Sequence, residues 1–152
     1  MTLTNILVPI DFSANATLAL AQAVDLATTS GAALTVVYVM PQVIFHPDWA
    51  ADVEESLDVS DVIEEAQQAL ATMTAPYRRT GMRLTEKVLA GGPHVEIVRL
   101  AHQLGVELIV MGAHGTTDRQ PALIGSVAEK VVRDAPCAVL TVRALRQTHP
   151  SP

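Results

Sequence analysis

Short runs of apolar, often β-branched residues alternate along this chain with longer segments whose apolar positions recur every three or four residues. Few folds accept that alternation. Asn5-Ile-Leu-Val-Pro-Ile10 is apolar at nearly every position, as a strand must be when both its faces are covered. Asp11-Phe-Ser13 closes it, and Ser13 is placed to cap an alanine-rich helix that ends near Gly31. Ala33–Met40 reads as a second strand, stopped by Pro41. A helix then places Val59, Val62, Ile63, Ala66, Leu70 and Met73 on one face, with Pro76 ending or kinking it. Leu84–Leu89 has the weaker pattern of an edge strand. Pro93 suits the first turn of a helix through Ile97, Ala101 and Leu104. Val106–Met111 is a fourth strand, about Val127 to Asp134 a fourth helix, and Ala138–Val142 the last strand.

Strands and helices in strict alternation imply one α/β domain, a doubly wound parallel sheet with helices on both faces. Right-handed crossovers leave only a few strand orders. The domain is expected over residues 1–143, with residues 144–152, ending His-Pro-Ser-Pro, as a flexible tail. Ligands of such sheets bind beyond the carboxyl ends of the strands. The segments to search are therefore Pro9–Ser13, Val39–Pro41, Gly91–His94 and Met111–Val127. Residues 41–57, with Phe45 and the single Trp49, make a long connection, expected to act as a mobile flap near the ligand because Val39 enters the site just before it.

Composition removes several classes of function. Aromatic residues are 3% of the 152 and the net charge is −6, which argues against a nucleic-acid partner. No apolar run approaches the roughly 20 residues of a membrane span. Met1-Thr-Leu-Thr-Asn5 also lacks the basic start of a signal peptide, so no membrane partner and a cytoplasmic location are expected. Cys137, the one cysteine, cannot close an intrachain disulfide and reads as a packed thiol. Residues 1–77 carry ten acidic side chains and no Lys or Arg, and eight of those acids fall between Asp48 and Glu65. A solvated helix face and a docking patch for a basic protein partner both fit that stretch.

The chemistry sits in Met111-Gly-Ala-His-Gly-Thr-Thr-Asp-Arg-Gln-Pro-Ala-Leu-Ile-Gly-Ser-Val-Ala-Glu129. It leaves a buried strand, passes Gly112 and Gly115, and enters a helix at Gly125-Ser126. Glycines let peptide N–H groups line an anion pocket. The helix start adds unpaired N–H groups and the positive end of its dipole. Ser126 can donate to a phosphate, or it can cap its helix together with Glu129. Neither a Gly-x-x-x-x-Gly-Lys-Ser/Thr loop nor a Gly-x-Gly-x-x-Gly turn is present. Asp11 as a phosphoacceptor would lack the acidic pair that holds Mg²⁺. His46, His94, His102, His114 and His149 form no metal pair at i,i+4, and only His114 lies in the glycine stretch.

Taken with Ile6-Leu-Val-Pro-Ile-Asp11 and Ser126–Val142, the spacing Gly112-x2-Gly115-x9-Gly125-Ser126 resembles the ATP-binding signature of the universal stress protein family. The resemblance covers nearly the whole chain. It implies a five-stranded parallel sheet ordered 3-2-1-4-5 with four helices, and a homodimer through the last strand, about Ala138 to Val142. It implies that Asp11 contacts the nucleotide, that Pro9 and Val39 line the adenine slot, and that Met111, Gly112, His114 and Gly115 begin the ribose and phosphate loop. Gly125, Ser126 and Val127 would hold the outer phosphates. The ligand would be ATP, or ADP or AMP, with Mg²⁺ carried by the nucleotide. Position 116, often basic in the family, is Thr116; Arg119 or the metal would supply the counter-charge, while Asp118 and Pro121 alter the middle of the loop. The expected function is a stress or signalling module that binds adenine nucleotide. The alternatives are a slow ATPase or phosphotransferase, for which no general base is evident, and a protein-binding dimer that has lost nucleotide affinity.

Overall fold

The computed structural model describes residues 2–41, 59–114 and 124–144. β1 (Asn5–Ile10) is buried from Ile6 onward and lies at the centre of the sheet. α1 (Ala14–Ser30) begins where Ser13 Oγ accepts from the Ala16 N–H. It ends at Gly31, whose left-handed backbone (φ 76°) lets its N–H reach the Ala27 carbonyl, a turn that glycine adopts without strain. β2 (Ala33–Pro41), α2 (Val59–Thr74), β3 (Leu84–Gly91), α3 (Pro93–Leu104), β4 (Leu108–Gly112), α4 (Ser126–Asp134) and β5 (Ala138–Val142) follow in that order. Five parallel strands form one sheet ordered β3-β2-β1-β4-β5, with four α-helices among the described residues.

Each central strand feeds both faces because successive side chains alternate. Ile6, Val8, Ile10, Leu34 and Val36 pack with α1 and Leu70 of α2. Leu7, Val37, Val39, Ile109 and Met111 pack on the other side with Ile97, Leu100 and Ala101 of α3 and Ala128 and Val131 of α4. The edge position expected of β3 is the one observed. Among the described residues no helix is long and apolar enough to cross a membrane. Of the acidic stretch, Asp61, Glu64 and Glu65 stand exposed on α2; residues 48–58 lie outside the described residues. So do residues 42–57 of the expected flap, the loop positions Gly115, Thr116, Asp118, Arg119 and Pro121, and the tail beyond Ala144.

Several boundaries differ from the sequence expectation. β3 runs on to Gly91 because Ala90 and Gly91 continue its pairing with Met40 and Pro41. β4 starts at Leu108 instead of Val106. Gly105 ends α3, the Val106 N–H turns back to the Ala101 carbonyl, and the Glu107 N–H bonds Asn5. α2 stops at Thr74 and continues as a 3-10 turn, Ala75–Thr80, that carries Pro76 at its start. α4 starts at Ser126 with Gly125 as its N-cap and no side-chain cap, so the capping box of Ser126 and Glu129 does not form.

Candidate functional site

The path of β1 opens the site. β2 pairs with all of β1, from Asn5 to Ile10, whereas β4 pairs only with Ile6 and Leu7. Pro9 has no N–H to extend a ladder, and the two strands part before reaching it. In the order 3-2-1-4-5 the chain turns away in opposite directions from β1 and β4, so this parting lies at the topological switch point.

The carboxyl ends of β1, β2 and β4, with the first turns of α3 and α4, enclose a cavity of about 240 Å³. That is somewhat below the usual range for small-molecule sites, about 300–1,000 Å³. Val37, Val39, Ile97 and Met111 are apolar lining; Pro9, Pro41 and Pro93 line it too. Asp11, Gly112, His114, Gly125, Ser126 and Val127 also line it. Of the sequence candidates, Pro9, Asp11, Val39, Met111, Gly112, His114, Gly125, Ser126 and Val127 thus come together, and Gly115 lies outside the described residues. All four segments picked out from the strand ends contribute. Pro41 and Pro93 fall inside those segments without having been named as site residues, and Ile97 falls outside them. Their signal was position alone, since each sits at a strand end or in the first turns of the helix beyond one.

Local bonding gives several of these residues a structural task as well. Asp11 Oδ1 accepts from the Ser13 N–H at 2.9 Å, an Asx turn that shapes the exit from β1. Between them Phe12 adopts φ 64°, a conformation rare for a bulky side chain and often retained where a site needs it. Its ring lies 5.0 Å from that of Tyr38 at 54°, an aromatic contact that helps hold the turn. Gly112 is required by packing rather than by a positive φ: a Cβ there would meet Asn15 Cβ at 3.0 Å and the Ala16 nitrogen at 3.1 Å. Gly125 is extended (φ −73°, ψ 163°), and its N–H donates to the Ala113 carbonyl. Gly125 offers no side-chain cap to α4, so the amides of its first turn can meet a ligand, and the dipole there favours an anion. The cavity can therefore take a flat apolar group against its valines and an anionic group at the start of α4.

Residues 2–143 match the universal stress protein family. A putative universal stress protein of Staphylococcus haemolyticus is 34% identical over 148 residues, covering 94% of this chain and 86% of the relative. The universal stress protein MJ0577 of Methanocaldococcus jannaschii is 35% identical over 80 residues. That alignment spans 53% of this chain and about half, 49%, of the relative. The solved structure of MJ0577 superposes with a TM-score of 0.82 at 27% identity, covering 97% of this chain and 100% of the other. A universal stress protein of Archaeoglobus fulgidus, solved in complex with dAMP, superposes with a TM-score of 0.67 at 25% identity, covering 94% and 100%.

Proposed function

The chain belongs to the universal stress protein family, and from that premise we propose that it binds an adenine nucleotide in the cavity above β1, β2 and β4. The observation that carries this reading is the meeting of Pro9, Asp11, Val39, Met111, Gly112, His114, Gly125, Ser126 and Val127 around one cavity. The dAMP complex of the Archaeoglobus fulgidus relative supports the choice of adenine. The base would lie against Val39 and Pro9. The phosphates would meet the N–H groups and hydroxyl of Gly125, Ser126 and Val127, with Asp11 and His114 beside the ribose. ATP carried with Mg²⁺ is the expected form, with ADP or AMP next.

The protein would act by changing conformation or assembly with its nucleotide. A homodimer through Ala138–Val142 is part of the proposal, supported by the edge position of β5 and the 40% exposure of Leu140. The domain is taken as residues 1–143, with the family match ending at residue 143. A cytoplasmic location belongs to the same reading.

The test is to denature the purified protein and identify any released nucleotide by mass spectrometry, then titrate the stripped protein with Mg-ATP. Co-purified adenine nucleotide, or binding that is lost in Gly125→Glu, is expected, because a glutamate there fills and repels the phosphate space. No released nucleotide and no titration would overturn the reading. Full affinity in Gly125→Glu would overturn the assigned site.

A further inference from the structure

Asn15 is the second residue of α1 and does not line the cavity. Its side chain nevertheless joins His114, which lines the cavity, to Ala144, just past β5. Nδ2 donates to the His114 carbonyl at 3.4 Å, and Oδ1 accepts from the Ala144 N–H at 3.2 Å. A backbone N–H can only donate, so Ala144 must meet Oδ1, and this orients Nδ2 toward His114. The Cβ of the same residue stands where a Cβ on Gly112 would have to go, 3.0 Å away. Helix α1, the end of β4 and the residues just past β5 therefore meet on one half-buried amide. The backbone joins the same places in parallel. The Ala113 N–H donates to the Val142 carbonyl at 2.8 Å, and the Ala113 carbonyl accepts from Gly125 at the start of α4.

We propose that Asn15 is the positioning residue of the nucleotide site. It holds the His114 carbonyl, and with it the start of the glycine stretch, against α1. It also ties that point to Ala144, so that occupancy of the cavity is felt at the end of β5. The inference rests on the reading of the cavity as a nucleotide site. Its physical basis is the rigidity of a planar amide that serves both partners at once. The bond to His114, at 3.4 Å, is longer than the usual 2.9–3.0 Å. A ligand that draws the His114 carbonyl toward α1 tightens it, and the same rotation moves the acceptor of Ala144.

Two variants separate the bonds. Asn15→Ala removes both, and alanine is a good helix former, so α1 should keep its fold. Asn15→Asp keeps the acceptor for Ala144 but has no N–H for His114. Mg-ATP is expected to bind Asn15→Ala about fivefold more weakly than wild type, the loss of roughly one net hydrogen bond. In wild type, Mg-ATP should slow amide hydrogen exchange at Ala144, and this ligand-dependent slowing should vanish in both variants. Ligand-free protection of Ala144 should persist in Asn15→Asp and fall in Asn15→Ala, a difference that a merely structural role would not link to nucleotide. Undiminished affinity in Asn15→Ala, or a ligand effect on Ala144 that survives in either variant, would overturn the proposal. Failure of wild type to bind Mg-ATP would instead overturn the nucleotide reading beneath it.

Discussion

Gly112→Ala distinguishes a glycine needed for packing from one needed for a ligand. An alanine Cβ at 112 would lie 3.0 Å from Asn15 Cβ and 3.1 Å from both the Ala16 nitrogen and the Asn15 carbonyl carbon. Two of the three atoms are backbone of the first turn of α1, so no rotamer change relieves the contact. Relief requires α1 to shift away from β4 by a few tenths of an ångström. That face of α1 is fixed by Ala16, Ala19, Leu20 and Ala23, all buried against the sheet. Overpacking of this kind costs about 1–3 kcal/mol, which for a domain of this size lowers Tm by roughly 2–12 °C. Urea unfolding followed by circular dichroism should show a lower midpoint with an unchanged slope. Gly125→Ala is the control. Its backbone, φ −73° and ψ 163°, suits any residue, so the substitution adds no backbone strain, and lowered nucleotide affinity is the expected result. Wild-type stability in Gly112→Ala would refute the packing argument.

Two further outcomes follow from the same geometry. The Thr4 hydroxyl, then the Asn5 N–H, hold the Glu107 carboxyl below its ordinary 4.5. A depressed folded-state value means that the carboxylate stabilises above pH 4.5 and loses its effect as pH falls through the folded value. The gap in urea midpoint between wild type and Glu107→Gln should therefore be largest at neutral pH and shrink in acid; a constant gap would sink the assignment. Leu70, fully buried on α2, should cost about 2–5 kcal/mol when cut to alanine. A loss below 1 kcal/mol, read by the same unfolding assay, would mean that α2 is not anchored by this side chain.

Where the controlling partners are neighbours in sequence, the elements were legible. β1 spans Asn5–Ile10 as its apolar run indicated, and α1 begins after Ser13 and ends at Gly31 as its caps indicated. β5 also falls where its pattern placed it. The boundaries differed where an N–H found its partner outside its own element. Ser126 followed by Glu129 satisfies the capping pattern, yet Gly125, whose N–H is held by Ala113, takes the cap position. Val106 continues an apolar run, yet its N–H closes α3. Gly112 and Gly125 of the glycine spacing line one cavity, but part of the reason for Gly112 was hidden: it answers to a helix that starts nearly a hundred residues earlier.

The sequence alone determined the alternation of strands and helices, most of their ends, and the cluster of strand termini that lines the cavity. These depend on side-chain period and on caps that reach three or four residues along the chain. The apolar pattern left several strand orders open, and the family resemblance selected among them. Only the tertiary structure decided that β4 leaves β1 before Pro9, and that one asparagine bonds both His114 and Ala144. Such pairings join residues 99 and 129 positions apart. No local periodicity encodes them, because they exist only once the sheet has brought its strand ends together.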